Sequence, residues 1–337
     1  MTVREELERL EHRRLNPLAT FADGSTGRPR QEPERVEDVR TCFQRDTDRV
    51  VHSKAFRRLM HKTQVFLRPE GDHYRTRMTH TLEVTRIAKT ITRALGLNED
   101  LAEAIAMGHD LGHTPFGHAG EGALSACLGK PFRHNEQSLR VVDCLEKDGQ
   151  GLNLTNEVRM GILCHTGARL PDTLEGQIIR RSDRIAYVNH DIDDAIRAGI
   201  LREADIPRSV ALTLGENPRD RINTLVCDVI ATSREAGTIA MTPSVELAFT
   251  ELREFMFERV YRNPVAKGEE SKAQGMLQRL FEYYMAHPEA LPEDFQPQLS
   301  FDGMERIVCD YIAGMTDNYA VGKFTEIFVP SGWNVRG

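Results

Sequence analysis

The clearest helical pattern in the sequence is TRMTHTLEVTRIAKTITRALGLNEDLAEAIAMGHDLGH at residues 76–113. Apolar residues recur in it every three to five positions, which is the spacing of an amphipathic helix. The sequence predicts one helix that ends at a C-cap glycine, Gly96, and a second that begins after Asn98 and carries acidic residues in its first turn. The His109-Asp110 pair is therefore expected at a helix end.

The remainder of the chain continues the helical pattern. A basic-faced helix is predicted at 52–64, and further helices are predicted at 135–147, 156–165 and 173–198. The segments 220–262 and 304–320 are also predicted to be helical. Alternating Val, Ile and Thr runs are few, and no Asn-Gly hairpin signal occurs, so strands are not predicted. The expected fold class is all-α. Residues 22–38 are polar, contain Gly and Pro and lack an apolar period, so a mobile loop is expected there.

The length of 337 residues allows one large core or two modest ones. We favour one continuous domain in three parts. These parts are an N-terminal segment with the mobile loop at 1–40, a catalytic core at 41–200, and a helical C-terminal part at 201–337 that packs on the core.

Composition excludes several classes of protein. No uninterrupted apolar run approaches the roughly 20 residues that cross a bilayer, and the charged N-terminus lacks the pattern of a secretory signal. A cytoplasmic protein without a membrane partner is expected. The six cysteines are scattered, with no CxxC pair, and are interpreted as reduced core residues. A formal charge of -7 argues against a general nucleic-acid coat, although a local basic patch is compatible with anion binding.

Histidines are concentrated in one region of the chain. Ten of the twelve lie between His52 and His190, and this clustering indicates a site. Imidazole nitrogens and carboxylate oxygens together suit a borderline or hard divalent cation, and His80 and the His109-Asp110 pair offer three such groups. Adjacent residues on a helix point about 100° apart. His109 and Asp110 can therefore converge on one ion only at a helix end.

A fourth metal ligand is expected from the long helix predicted at 173–198. Asp183, Tyr187 and Asp191 follow one another at intervals of four residues, so they share one face of that helix. The alternative is that these acids are solvated on the outer face of an amphipathic helix. Taken alone, His80 would likewise be interpreted as a hydrogen-bonded structural residue.

Five segments carry a resemblance to a known family. They are HSKAFRRLMHKTQVF at 52–66, EGDHYRTRMTHTLEV at 70–84, AEAIAMGHDLGHTPFGHAGE at 102–121, HNEQS at 134–138 and SDRIAYVNHD at 182–191. Together they resemble the HD-domain superfamily, and within it the bacterial deoxynucleoside triphosphate triphosphohydrolases, often called dGTPase-like proteins. The resemblance runs from about Phe43 to Tyr319. It implies an all-α HD-domain helical bundle with additional C-terminal helices.

The resemblance also implies a metal and a reaction. One divalent ion, Mn²⁺, Mg²⁺, Fe²⁺, Co²⁺ or Zn²⁺, would be held by His80, His109, Asp110 and Asp183. The implied reaction splits a dNTP into a deoxynucleoside and inorganic tripolyphosphate by water attack at the α-phosphorus. Relatives self-associate, commonly into hexamers, so a homo-oligomer is expected.

Ten further residues acquire roles from the same resemblance. The residues implied near the scissile phosphate are a His118 and Glu121 dyad, with His134 and His113 contacting phosphate oxygens. The residues implied in substrate binding are Arg77 on phosphate, Tyr187 on the deoxyribose, Asp191 with Gln64 on the 3′-hydroxyl, and Arg253 with Tyr261 further out. The alternatives are solvated helix faces for the two arginines and structural roles for His118 and His134.

Other functions remain open at this point. The first alternative is an HD-type 5′-deoxynucleotidase or phosphodiesterase, some of which use two metals, because five histidines lie between His80 and His134. The second is a non-catalytic protein that binds nucleotides or single-stranded nucleic acid. The basic run at 52–62 is interpreted either as solvated surface or as a regulatory site for a second dNTP, and weak single-stranded DNA binding is a further candidate interaction.

Overall fold

The computed structural model describes residues 1–32, 38–64, 75–262, 264–298 and 302–330, with no side chains described at 235, 264–268 and 296–298. Its α-helices of five residues or more are α1 Val3–Arg14, α2 Cys42–Val51, α3 Lys54–Arg58, α4 Arg77–Leu95, α5 Glu99–Gly108, α6 His118–Leu128, α7 His134–Arg140, α8 Asn156–Cys164, α9 Leu174–Arg197, α10 Arg208–Leu214, α11 Pro218–Ala236, α12 Pro243–Met256, α13 Pro264–Ala286, α14 Met304–Ala313 and α15 Asp317–Phe328. The described residues contain no sheet, and one isolated β-bridge joins Thr63 to Thr76. The predicted all-α fold is confirmed.

The main hydrophobic core forms where α4, α5 and α9 pack together, with α2 and α8 against α5. Local signals set the ends of the two central helices. Thr76 accepts a hydrogen bond from the amide of Thr79 and begins α4, which ends at Gly96 with φ 69°. Asn98 accepts from two amides and begins α5. Both helices lie where the sequence predicts them, and His109 is the residue that ends α5.

A second hydrophobic cluster lies between α6 and the C-terminal helices α13, α14 and α15. It contains Phe116 and Leu124 on one side and Leu277, Tyr284 and Ile312 on the other. The segment that leads into α6 is thereby attached to the C-terminal part of the chain. Within the described residues, no helix combines the length and the apolar character that would let it cross a membrane.

Three predicted helices are interrupted. Segment 220–262 is helical as predicted, but it contains two α-helices, because Gly237 takes φ 65° and ends α11, and Pro243 starts a new helix. The helix predicted at 304–320 divides after Ala313, since the side chain of Thr316 accepts from a backbone amide and begins α15. The basic-faced helix at 52–64 consists of α3 and a short 3₁₀ turn, Leu59–His61.

The polar N-terminal stretch is hydrogen-bonded to the core over its described part. Glu157 accepts hydrogen bonds from Ser25 and Thr26, and Arg28 pairs with the buried Asp46. Residues 33–37 of the predicted mobile loop lie outside the described residues. Residues 25–28 are therefore held to the core by hydrogen bonds and an ion pair.

Close packing of α5 on α8 can be tested at Gly161. A Cβ added there would lie 2.4 Å from Cδ1 and 2.6 Å from Cγ1 of Ile105. We expect Gly161→Ala to lower the free energy of unfolding by about 1–3 kcal/mol, because the methyl group overpacks the interface. Urea unfolding followed by circular dichroism measures the change.

The control is Gly275→Ala on α13, where nothing lies within 4 Å of the added Cβ. Alanine favours a helix over glycine by about 1 kcal/mol, so this variant should be slightly more stable than wild type. Equal effects of the two substitutions would contradict the close approach of α5 and α8.

Candidate metal centre and substrate pocket

Three helices bring four potential metal ligands together. His80 comes from α4, His109 and Asp110 from the end of α5, and Asp183 from α9. The Asp183 Oδ1 lies 3.1 Å from His80 Nε2 and 3.8 Å from His109 Nε2. The Asp110 Oδ1 lies 3.4 Å from His109 Nε2, and its Oδ2 lies 4.0 Å from His80 Nε2. The four residues named from the sequence therefore surround one small volume.

The protonation pattern of His109 fits a metal ligand. Its Nδ1 donates to the carbonyl of Ala106 at 2.6 Å, which leaves the lone pair on Nε2. That Nε2 is buried and has no hydrogen-bond partner among the described residues. A second hydrogen bond that fixes the tautomer is typical of histidines that bind metals. Two nitrogen and two oxygen donors suit a borderline divalent cation, so these residues fit the implied ion.

Asp110 is the electrostatic centre of the site. Its carboxylate is 3% exposed, accepts a hydrogen bond from Arg77 Nη1 at 3.0 Å, and lies 3.1 Å from His113 Nε2. Burial raises the pKa of a carboxyl group, but the neighbouring His109, His113 and Arg77 outweigh it and hold the pKa of Asp110 well below its usual range. Arg77 is itself buried, so the alternative of a solvated helix face is wrong for this residue.

Glu121 connects the remaining predicted catalytic residues. Its carboxylate lies 2.7 Å from His134 Nδ1, 3.4 Å from His113 Nδ1 and 3.5 Å from His118 Nδ1. The His118 side chain is 80% exposed, whereas the other two are largely buried. The Glu121 carboxylate raises the pKa of His118, which favours its protonated form. The sequence-based pair of His118 and Glu121 is thus part of a larger cluster.

The sequence interpretation missed His165. Its Nε2 lies 3.2 Å from Nε2 of His134, and its Nδ1 donates to the carbonyl of Ile162 at 2.7 Å. Burial, then the nearby His109 and His134, lower the pKa of His165 to about 3. The available signal was its place at the end of α8, which matches the place of His109 at the end of α5.

A pocket of about 720 Å³ opens beside these groups. Its volume is within the usual range for a small-molecule site. Twelve of the residues predicted from the sequence line it: Gln64, Arg77, His80, Asp110, His113, His118, His134, Asp183, Tyr187, Asp191, Arg253 and Tyr261. The other two, His109 and Glu121, do not line the pocket but contact residues that do. His109 lies beside Asp110 and Asp183, and Glu121 lies beside His134.

The distal side of the pocket has its own hydrogen bonds. Tyr261 donates to Oδ2 of Asp191, and Arg253 Nε donates to the hydroxyl of Tyr187 at 3.1 Å. The Oδ1 of Asp191 and the Oε1 of Gln64 are buried acceptors without a partner among the described residues. Burial raises the pKa of Asp191 to about 7, despite the hydrogen bond from Tyr261. Arg253 and Tyr261 thus do not contact each other through these hydrogen bonds, since Arg253 binds Tyr187 and Tyr261 binds Asp191.

The sequence interpretation also missed two arginines close to the predicted residue Arg253, namely Arg180 and Arg184. Arg180, Arg184 and Arg253 form no ion pair with any carboxylate in the described part of the chain. Burial and then the charges of Arg180 and Arg253 lower the pKa of Arg184. Three guanidinium groups that repel one another favour an anion in their vicinity. The sequence offered only a run of Arg residues on α9, which is also typical of a solvated helix face.

The metal assignment can be tested by removing the Asp110 carboxylate. We expect Asp110→Ala to abolish stoichiometric Mn²⁺ uptake, because it removes a charged ligand from the centre of the site. Metal content is measured by inductively coupled plasma mass spectrometry after equilibrium dialysis. The matched control is Asp100→Ala at the opposite end of α5, which should retain the metal. Full Mn²⁺ uptake by a folded Asp110→Ala variant would remove Asp110 from the ligand set.

The raised pKa of Asp191 predicts a pH effect on stability in the metal-free protein. Asp191 binds its proton more tightly in the folded protein than in the unfolded chain. Protonation of Asp191 therefore stabilises the folded protein fully below about pH 4, and this stabilisation is lost as pH rises through 7. Asp191→Asn cannot ionise. Relative to this variant, wild type should lose on the order of 4 kcal/mol of unfolding free energy between pH 4 and pH 8.

Urea unfolding in EDTA across that pH range measures the difference between the two proteins. Parallel stability curves for wild type and Asp191→Asn would show that Asp191 titrates normally.

Comparisons with known proteins agree with this geometry. The HD domain family matches residues 77–188, and the family described as phosphohydrolase-associated domain matches residues 239–326. The first match contains the four metal-ligand candidates. The second contains α12, α13, α14 and most of α15.

Relatives match over nearly the whole chain. A deoxyguanosinetriphosphate triphosphohydrolase-like protein of Caldanaerobacter subterraneus subsp. tengcongensis is 54% identical, over 99% of this chain and 98% of that protein. Proteins of the same name from Clostridium perfringens strain SM101 and Bordetella pertussis are 47% and 40% identical, over 98% and 93% of this chain and 98% and 97% of theirs. The chain therefore belongs to the deoxyguanosinetriphosphate triphosphohydrolase-like family of HD-domain proteins and is a metal-dependent phosphohydrolase.

Proposed function

We propose that this protein hydrolyses deoxynucleoside triphosphates to deoxynucleosides and inorganic tripolyphosphate, by water attack at the α-phosphorus. One observation carries the proposal. Two buried acceptor oxygens without partners, Asp191 Oδ1 and Gln64 Oε1, line the same pocket as the metal-ligand set. Buried acceptors are stabilised when a ligand supplies donors, and a sugar hydroxyl is such a donor.

The sugar would be selected by the residues around Asp191. Tyr261 occupies one oxygen of Asp191, so only Oδ1 is available to accept from the 3′-hydroxyl. Tyr187 lies four residues before Asp191 on the same face of α9, and its hydroxyl is held by Arg253. A tyrosine ring fixed in this way would pack on the deoxyribose and leave little room for a 2′-hydroxyl. The preference for deoxynucleotides is therefore a steric proposal.

The triphosphate would be bound by arginines that form no ion pair with a carboxylate of the described residues. Arg253 lines the pocket, and Arg184 lies close enough to Arg253 and Tyr187 for their charges to interact. A triphosphate would relieve the repulsion between these guanidinium groups, and a monophosphate would do so less completely. This charge distribution favours a nucleoside triphosphate over a nucleoside monophosphate as substrate.

Hydrolysis requires stabilisation of charge on the α-phosphate and a proton for the leaving 5′ oxygen. A divalent ion held by His80, His109, Asp110 and Asp183 would act as a Lewis acid on the phosphate. His118 would supply the proton, because Glu121 favours its protonated form. His113 and His134, oriented by the same carboxylate, would contact phosphate oxygens. The names of the relatives also support a triphosphohydrolase.

Product analysis tests the proposal. Purified protein is incubated with Mn²⁺ or Mg²⁺ and each dNTP, alone and mixed, with ribonucleoside triphosphates and dNMPs in parallel. Anion-exchange chromatography should show a deoxynucleoside and tripolyphosphate in equal amounts from dNTPs, and much slower turnover of ribonucleotides. Asp110→Ala serves as the inactive control and should yield no product. Activity that appears only in the dNTP mixture would indicate a regulatory nucleotide.

A second candidate function has one specific observation in its favour. Asp110, His113 and His134 form another group whose ligand atoms lie within 4.8 Å of one another. Such a group is compatible with a two-metal HD-type 5′-deoxynucleotidase or phosphodiesterase. Orthophosphate from a dNMP, with no tripolyphosphate from any dNTP, would favour that function and contradict the proposed one. Nucleotide binding without any turnover would favour the non-catalytic alternative.

A further inference from the structure

The segment between α5 and α6 carries the groups that would act on the phosphate, yet it has no regular secondary structure. His113 lies in it, and His118 follows it as the first residue of α6. Phe116 in this segment has φ 61°, and Gly117 has φ 54°. A non-glycine residue in the left-handed region is destabilised by roughly 1–2 kcal/mol. Such a conformation persists only when surrounding contacts impose it.

One carboxylate of the last helix supplies those contacts. Asp317, at the start of α15, is 3% exposed and accepts a hydrogen bond from the amide of Phe116 at 3.0 Å through Oδ1. Through Oδ2 it accepts from the amide of Thr63 at 3.0 Å and from the Thr63 hydroxyl. Thr63 precedes Gln64 and forms a β-bridge with Thr76, next to Arg77. Asp317 thus joins two segments that end in pocket residues.

One ammonium group fastens the other end of the segment. Lys62 is buried, and its Nζ donates to the carbonyl of His113 and, at 2.9 Å, to the carbonyl of Ala313 at the end of α14. Burial lowers the pKa of this lysine to about 7, although Asp317 and Asp110 act in the opposite direction. A lysine is rarely buried without a strong reason. Its visible partners here are two backbone carbonyls, one from the segment and one from the C-terminal helices.

We propose that Asp317 and Lys62 are positioning residues, which hold segment 113–118 so that His113 and His118 meet the phosphate in the proposed reaction. The reaction in this inference rests on the proposed function, whereas the positioning role rests on the hydrogen bonds described above. It assigns a task to the C-terminal part of the chain. Ala313 and Asp317 lie within the region that matches the phosphohydrolase-associated domain, so that region holds the catalytic segment of the HD domain in place.

The test is Asp317→Ala, compared with Asp46→Ala as a matched control. Asp46 is also buried and accepts from both the amide and the hydroxyl of one threonine, Thr155, at 2.8 and 2.7 Å. It lies on α2, away from segment 113–118. Both variants should lose stability. At a temperature where both remain folded, we expect kcat of Asp317→Ala to fall about 100-fold with KM within threefold of wild type, since a displacement near 1 Å can have that effect.

Asp46→Ala should retain kcat within threefold of wild type, and both variants should bind the same amount of Mn²⁺. Equal kcat values for the two variants, or a loss confined to KM, would overturn the positioning role. If Asp317→Ala does not fold, Thr63→Val removes one hydrogen bond of the same network, and Lys62→Met removes the two that Lys62 donates. Each should lower kcat by about tenfold, in the range expected from one misplaced group.

Hydrogen exchange separates this inference from the proposed function, because it needs no substrate. In Asp317→Ala, or in Thr63→Val if that is the variant that folds, amides of segment 113–118 should exchange at least tenfold faster than in wild type. In Asp46→Ala they should be unchanged. Unchanged exchange in this segment would overturn the inference even if dNTPs are hydrolysed. Faster exchange in a protein inactive on dNTPs would contradict only the proposed reaction, and kcat would then be compared on the dNMP that is hydrolysed.

Discussion

The negative charge of Asp110, buried at the end of α5, is the constraint on which the rest of the site depends. An isolated carboxylate in such a place would be strongly destabilising, so positive groups must surround it. Arg77 provides one at 3.0 Å, and it shares a helix face with His80, three residues later on α4. The helix that neutralises Asp110 is therefore also the helix that carries the predicted metal ligand His80. Packing of α4 against α5 and catalysis consequently have the same structural requirement.

Much of this arrangement was predictable from local sequence. The spacing of apolar residues predicts α4 and α5, and Gly96 and Asn98 mark the boundary between them. That boundary fixes His109 and Asp110 at a helix end, where adjacent residues can face one ion. Tertiary contacts were less accessible to sequence reasoning. The charge of Lys62 predicts an exposed residue, and only the distant carbonyls of His113 and Ala313 explain its burial.

His165 shows why some site residues escape a search by motif. His109 and His165 have the same local construction, since each ends a helix and donates Nδ1–H to the carbonyl three residues earlier. Only His109 is followed by an aspartate, so only His109 forms a recognisable pair. The breaks at 237 and 314 are similar cases. An isolated glycine within a helical pattern is ambiguous until the fold shows whether it continues the helix or ends it.

The two hydrophobic clusters explain why the catalytic segment needs more than its own helix ends. α5 belongs to the main core, whereas α6 packs on the C-terminal helices. Segment 113–118 therefore runs from one cluster to the other. Any movement of one cluster relative to the other would first displace His113 and His118. Polar contacts of defined direction limit such a shift better than apolar packing, because a hydrogen bond weakens steeply when its angle or length changes. The hydrogen bonds of Asp317 and Lys62 to the segment would thus hold His113 and His118 in one position, although the helical bundle has two separate hydrophobic clusters.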